Sequence, residues 1–308
     1  MVGLGLMGRG IATCLLSQGL PVTACDRDPE RGEEALAHIE TALAELRRRG
    51  FPAGPKSWRK RFTVVTDANG LAGCRFVIES INENLQLKRD VFRRLERALD
   101  RRAIIASNTS SLPISLLQAG RKNPERFIGM HWGEPAEVMR YLEIIPGKRT
   151  SRATVQTTRR LGELCGKTPT VLRHDIRGFV SNRLMYAMMR EAFHLLESGV
   201  ADLETIDTSF RNDIGWWATL AGPFRYMDLT GVPAYQAVME GLLPKLANTK
   251  AVPRAMRKVV DGGGLGIQNG RGFYSYTPAA AKKWEKAWID FTHDVRALVE
   301  KYEARVRS

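Results

Sequence analysis

Gly3-Leu4-Gly5-Leu6-Met7-Gly8 is the stretch on which the fold turns. It fits G-x-G-x-x-G. In that pattern the first glycine allows a tight turn, the second lets backbone approach a pyrophosphate, and the third permits close helix packing. Ile11, Ala12, Leu15 and Leu16 follow at helical spacing, and Gly19 closes the segment. The N-terminus of such a helix aims unpaired N–H groups at an anion. The next β-branched run, Val22-Thr23-Ala24-Cys25, ends at Asp26, eighteen residues past Gly8. A carboxylate there accepts hydrogen bonds from adenosine ribose hydroxyls and repels a 2′-phosphate, which favours NAD over NADP. The plainer alternative is a glycine-containing helix start with a surface aspartate. Only Met1 and Val2 precede Gly3, so the strand that should feed the loop reads as truncated. The neighbouring strands are expected to lose a ladder partner.

Further apolar runs lie at Phe62–Val65, Phe76–Ile78, Ala103–Ala106, Phe127–Met130 and Tyr141–Ile145. Helical patterns alternate with several of them. Asp28-Pro29 supplies a cap and a first-turn proline, and Leu85–Leu99 is a third helical segment. Alternation of this kind implies a Rossmann-like, doubly wound α/β domain with a mostly parallel sheet. After Asp175 the texture becomes helical. Phe179–Leu196 reads as one long helix with Val180, Leu184, Ala187, Met188, Ala192 and Leu195 on one face. In the helical tail, Trp284, Trp288 and Phe291 suggest a buried stripe. The expected organisation is an α/β domain over 1–175 and an all-α C-terminal domain over 176–308.

The chain has 308 residues, 44% hydrophobic and 26% charged, which suits a globular protein with a sizeable core. No run of eighteen apolar residues reads as a membrane span, and glycines interrupt the apolar N-terminus where a secretory signal would need continuity. Cys14, Cys25, Cys74 and Cys165 fit neither a disulfide framework nor a zinc knuckle, so a reducing, cytoplasmic setting is expected. Forty-seven Lys plus Arg against thirty-three Asp plus Glu leave a charge of +14. No nucleic-acid-binding motif accompanies it, which directs attention to phosphorylated small molecules.

Three polar clusters follow expected strands: Glu79-Ser80-Ile81-Asn82-Glu83-Asn84, Ser107-Asn108-Thr109-Ser110-Ser111, and His131. In a parallel sheet the carboxyl ends share one edge, where ligands bind. Distant polar groups therefore converge on one crevice.

Together GLGLMGRGIA, ESINENLQLK, ASNTSSLPIS, GMHWGEPAEVMRYLEII, DIRGFVSNRL, AGPFRYMDLTG and NGRGFYSY resemble the 3-hydroxyacyl-CoA dehydrogenase family, from Gly3 to about Tyr276. The resemblance implies NAD as cofactor and Gly3, Gly5, Leu6, Met7, Gly8 and Asp26 as its loop contacts. It implies His131 as catalytic base and Glu143 as the acid that orients it. Ser110 and Asn182 match the family's polar groups at the substrate oxygen, with Ser110 also beside the cofactor. Glu83 and Lys88 match contacts to the cofactor's ribose region. Ser110 could instead cap the next helix, Asn182 could join two helices, and Glu83 and Lys88 could be a solvated helix start.

Three departures stand out. The family usually reads His-Phe-Phe-Asn-Pro where this chain has His131-Trp132-Gly133-Glu134-Pro135, so Glu134 replaces an asparagine that contacts the cofactor. Gln268 stands for a lysine near the C-terminal glycine motif. Trp216 and Trp217 either limit the acyl pocket or fill the core. Arg48, Arg49 and Lys56 belong to a basic segment that either holds the CoA phosphates or is a solvated face.

The leading expectation is an NAD-dependent L-3-hydroxyacyl-CoA dehydrogenase, a homodimer through its helical domain, with an acyl-CoA substrate and neither nucleic-acid nor membrane partner. The alternatives are a dehydrogenase of a free hydroxy acid, such as carnitine or a sugar acid, and a catalytically silent NAD-binding relative.

Overall fold

The strands form where the β-branched runs fall; the central ones are buried, while Phe62–Val65 and Thr168–Val171 are largely exposed. The computed structural model describes residues 1–307, and its contacts divide into two units, Met1–Asn182 and a second from Arg183 onward. The first unit runs α1 (Leu6–Ser17), β1 (Val22–Cys25), α2 (Pro29–Arg48), β2 (Phe62–Val65), β3 (Phe76–Glu79), α3 (Leu85–Ala98), β4 (Ile104–Ser107), α4 (Ile114–Gln118), β5 (Phe127–Trp132), β6 (Tyr141–Pro146), α5 (Arg152–Leu164) and β7 (Thr168–Val171). Strands β3, β4 and β5 pair in parallel, β6 turns back antiparallel to β5, and β7 runs parallel to β6. Strand β1 pairs in parallel with β2.

Residues 1–3 lie between these two groups of strands. Val2 bridges Cys25 on one side and Glu79 on the other, both in parallel. Its N–H donates to Ile78 O at 2.8 Å, and its carbonyl accepts from Ser80 N at 2.8 Å. Met1 O accepts from Cys25 N at 2.7 Å, and the Met1 amino group donates to Thr23 O at 2.7 Å. A short segment thus does the ladder work between β1 and β3, so these strands keep the partner that the sequence led us to expect them to lose.

Each helix start is fixed locally. Asp28 caps α2 by accepting from Glu30 N, with Pro29 in its first turn. Asn84 caps α3 through Leu87 N, and Ser151 caps α5 through Thr154 N. The sheet separates two apolar layers. One contains Leu4, Ile11, Leu16, Ile39, Leu43 and Ile144, and the other Phe92, Leu95, Ile105, Phe127 and Phe179.

Helix α6 (Ser181–Glu197) starts in the first unit. The second unit continues with α7 (Leu203–Asn212), α8 (Ile214–Leu220), α9 (Gly222–Thr230), α10 (Val232–Leu242), α11 (Arg254–Asp261) and α12 (Pro278–Arg307). Three expectations about apolar residues are corrected here. Trp284, Trp288 and Phe291 do not form a buried stripe; all three are more than half exposed. The apolar face expected on α6 is likewise open, with Val180 and Leu184 more than half exposed, and Phe179 lies before the helix with φ +54°. Trp216 is exposed, and Trp217 stacks on Tyr226 with ring centroids 4.4 Å apart, so these residues do not fill a core.

Candidate active site

The glycine loop has the packing its pattern requires. Gly3 has φ +87°, and a Cβ there would lie 2.6 Å from Ser80 O. A Cβ on Gly8 would lie 1.9 Å from Gly3 O, whereas one on Gly5 would meet nothing within 4 Å. The outer two glycines are therefore closed against protein and the middle one is open, which suits backbone approach by a pyrophosphate. Leu6 is exposed at the start of α1 and Met7 is half-buried behind it. Asp26 Oδ2 accepts from Leu4 N at 2.7 Å, and Oδ1 from Asp28 N at 3.1 Å, so the carboxylate at the end of β1 is tied to the loop itself.

His131 and Glu143 are register partners across the antiparallel β5–β6 pair. Directly opposed residues share a face, and both side chains are buried. His131 Nδ1 lies 3.1 Å from Glu143 Oε2. The other oxygen, Oε1, accepts from the backbone N–H groups of Val180 and Ser181, each at 3.0 Å. Burial pushes the Glu143 carboxyl up, but hydrogen bonds from His131, Tyr141, Ser181 and Val180 outweigh it and hold the group below the usual carboxylate range. A buried carboxylate with every lone pair directed at a donor can orient an imidazole and stabilise its cation.

The sequence reading missed two neighbours of this pair. Tyr141 lies two residues before Glu143, on the same face of β6; its hydroxyl donates to Glu143 Oε2 at 2.6 Å and lies 2.9 Å from His131 Nδ1. The period of two along a strand was the available signal. Phe179, fully buried, sets its ring 5.6 Å from the imidazole. Its left-handed backbone conformation carries no sequence signature in a bulky residue.

Ser110 and Asn182 are brought together: Asn182 Nδ2 donates to Ser110 O at 2.6 Å. The consecutive residues Val180, Ser181 and Asn182 thus touch both Glu143 and the Ser110 loop. Glu83 is the clamp of that loop. Its Oε1 accepts from Thr109 Oγ1 at 2.5 Å and from the N–H groups of Ser110 and Ser111 at 3.0 Å. Burial pushes Glu83 up, and Thr109, Lys88 and the two amides more than offset it, leaving the carboxyl low. Asn108 adds a second tie, accepting from Trp132 N at 2.9 Å and donating to Ser80 Oγ at 3.1 Å.

Lys88 is not placed as a solvated helix start. It is fully buried, and its ammonium lies 2.6 Å from Glu79 Oε1, 3.2 Å from Ile81 O and 3.5 Å from Glu83 Oε2. Ser107 satisfies the remaining Glu79 oxygen at 2.6 Å. As placed, Lys88 presents no surface to a ligand and fixes the Glu79–Glu83 segment instead. Glu134 is exposed, in a cis peptide with Pro135. At the end of α2, Arg48 and Arg49 both close on Glu45, Arg48 Nε at 2.8 Å, and they hold that carboxyl down at about 2. Lys56 is exposed.

Among the described residues no group of three His, Cys, Asp or Glu could hold a metal, and no helix is long and apolar enough to cross a membrane. A Rossmann-like domain with an open glycine at its first turn and a histidine–carboxylate pair at its strand ends defines an NAD-dependent oxidoreductase.

The comparisons give the class its particular form. Residues 1–176 match the NAD binding domain of 3-hydroxyacyl-CoA dehydrogenase and residues 178–276 its C-terminal domain. The chain belongs to the 3-hydroxyacyl-CoA dehydrogenase family. It is 37% identical, over 92% of its length and 91% of the relative's, to 5-formyl-3-hydroxy-2-methylpyridine 4-carboxylate 5-dehydrogenase of Mesorhizobium japonicum. It is 36% identical to a probable 3-hydroxybutyryl-CoA dehydrogenase of Deinococcus radiodurans, over 90% of this chain and 99% of that one. Among solved structures, an NAD+-dependent 5-formyl-3-hydroxy-2-methylpyridine 4-carboxylic acid 5-dehydrogenase superposes with a TM-score of 0.91 at 34% identity, covering 97% of each chain. The (S)-3-hydroxybutyryl-CoA dehydrogenase of Ralstonia eutropha gives 0.73 at 32% identity, over 90% of this chain and 97% of that one.

Proposed function

We propose that this chain oxidises a hydroxyl or hydrated aldehyde carbon on a small free acid, with NAD as the partner and without a CoA thioester. The observation that carries this reading is the backbone agreement of 0.91 with the pyridine carboxylate dehydrogenase, against 0.73 for the hydroxybutyryl-CoA enzyme. The engagement of Arg48 and Arg49 with Glu45 supports it, because one carboxylate already offsets part of the positive charge of the basic segment.

In this reading Gly3, Gly5, Leu6, Met7, Gly8 and Asp26 hold the dinucleotide, and NAD supplies the hydride acceptor. With its proton on Nδ1 and facing Glu143, His131 has Nε2 free to take the hydroxyl proton of the substrate. Glu143 stabilises the cation that results. Ser110 and Asn182, joined by their hydrogen bond, donate to the substrate oxygen, and the Glu83 clamp keeps the Ser110 loop in place. Glu134 borders this region from the β5–β6 connection. The second reading, an L-3-hydroxyacyl-CoA substrate held by Arg48, Arg49 and Lys56, is favoured by the Deinococcus relative. In either case the helical unit is proposed to join two copies of the chain.

Initial rates of NADH formation and consumption separate the two. The free pyridine carboxylate and free 3-hydroxybutyrate are compared with 3-hydroxybutyryl-CoA. A higher kcat/KM on a free acid is expected, and preference for the thioester overturns the proposal. His131→Asn is expected to lower kcat by at least about a hundredfold on whichever substrate turns over. An unchanged kcat removes the base assignment.

A further inference from the structure

The phenol of Tyr141 has two partners within hydrogen-bond reach, Glu143 and His131. A tyrosine hydroxyl carries one proton to give and two lone pairs to receive. The proton goes to Glu143 Oε2 at 2.6 Å. The remaining contact is His131 Nδ1, at 2.9 Å. Since the phenol proton is already committed, the phenol oxygen can only accept from Nδ1.

We propose that Tyr141 is a positioning residue that, together with Glu143, gives the His131 Nδ1–H two acceptors and so fixes the imidazole tautomer that leaves Nε2 bare. This rests on the reading of His131 as the base. Nδ1 faces Glu143 Oε2 at 3.1 Å and Tyr141 Oη at 2.9 Å, and neither can donate to it while the phenol points its proton at the carboxylate. The proton must then reside on Nδ1 in the neutral ring. Orientation is fixed by the same contacts: the Tyr141 ring meets the imidazole edge-on, with centroids 5.5 Å apart and planes at 89°, and Phe179 packs against it at 5.6 Å. The titratable groups set on the imidazole are Glu143 and Tyr141 from β6. The segment entering α6 contributes Phe179 and the Val180 and Ser181 amides, none of them charged.

The phenol keeps its proton throughout. Burial, followed by the hydrogen bond and charge of Glu143, pushes its pKa upward, well above the ordinary tyrosine range. Tyr141 therefore serves as a neutral dipole and is no proton source for the reaction. Space for it is provided across the strand pair. A Cβ on Gly133 would lie 3.1 Å from Tyr141 Cδ1, closer than side chains normally pack, so the absence of a side chain at position 133 leaves room for the ring to meet the imidazole edge-on.

The test reads the tautomer directly. Two-bond proton–nitrogen spectra of the whole chain carrying nitrogen-15 histidine, recorded near pH 8.5, distinguish protonated from bare ring nitrogens for all five histidines. The His131 signals are identified by their loss in His131→Asn. Wild type is expected to show one protonated and one bare nitrogen, widely separated in shift, with Nδ1 protonated. In Tyr141→Phe the two shifts are expected to move toward each other as the second tautomer becomes populated. kcat is expected to fall by about tenfold, less than the roughly hundredfold that a misplacement of about 1 Å can cost, with KM changed less than about twofold. Gly133→Ala, which displaces the ring without removing the hydroxyl, is expected to act in the same direction and serves if Tyr141→Phe does not fold. Retention of the full wild-type separation in the folded variants, or a wild type protonated on Nε2, overturns the proposal. A wild type that shows the expected tautomer yet turns over no substrate leaves this inference standing and refutes the proposed function.

Discussion

Glu143 gathers four donors onto two oxygens, and each comes from a different kind of constraint. The histidine is placed by strand register, the phenol by strand periodicity, and the two amides by the entry into α6. These interactions hold the carboxyl below its unfolded range despite burial. The sign of the consequence follows directly. A carboxyl depressed in the folded state stabilises the protein above its unfolded pKa, near 4.3 for glutamate, and loses that contribution as pH falls through the folded value. Glu143→Gln lacks this titration. Urea unfolding at pH 7, 5 and 4 is expected to show the variant less stable at pH 7 and the gap between the two proteins narrowing toward pH 4. A gap that stays constant or widens with acidification contradicts the assignment. His131 and Glu143 were both legible as residues, the one as a polar group directly after an apolar run and the other as a carboxylate inside one. Tyr141 was not, because a tyrosine in a strand is ordinary and only the sharing of one oxygen gives it a role.

At the scale of elements, the loop from β-ladder to α1 explains why three glycines are spaced as they are. The outer two are barred from any side chain by backbone oxygens, while the middle one is not. Gly8→Ala forces a methyl into Gly3 O and must displace the loop or the start of α1. Gly5→Ala adds a methyl into open space, so it leaves the apo fold alone and interferes only where a ligand approaches. Thermal melting and NADH titration by fluorescence are expected to separate them. Gly8→Ala lowers both Tm and affinity, and Gly5→Ala lowers affinity with Tm nearly unchanged. A destabilised Gly5→Ala would mean that the open position is structural. The alternation of strands and helices was readable because each apolar run is short and bounded by caps. The antiparallel return of β6 was not, since buried parallel and antiparallel strands share one composition. Lys88 shows the same limit. Its spacing from Glu83 says nothing of the fully buried Glu79 that takes its charge.

The two units of the molecule differ sharply in how they handle apolar surface. The first has two buried layers about its sheet. From Arg183 onward, among the described residues, only Thr292 and His293 are buried. Leu184, Trp216, Phe224, Leu229, Val238 and Trp284 are all more than half exposed. Helical periodicity correctly signalled amphipathic segments, but it could not say whether their apolar faces turn inward or toward another chain. Covering a side chain of this size is worth roughly 1.5–3 kcal/mol, so leaving many of them in water is costly, and patches of this kind mark interfaces. A second copy of the chain is the partner in the proposed assembly, since each copy offers the same surface and a two-fold contact is self-complementary. Sedimentation equilibrium at micromolar concentration is expected to give twice the chain mass of 34.5 kDa. Phe224→Asp with Leu229→Asp, both on α9, is expected to shift the mass toward the single chain and to lower Tm, because a desolvated carboxylate in an apolar interface costs more than the contact it replaces. The dependence of Tm on protein concentration supplies an independent reading: an obligate pair melts higher as concentration rises, whereas a chain stable by itself does not. A single-chain mass for the wild type, with Tm independent of concentration, would show that the helical unit keeps its apolar faces uncovered in solution.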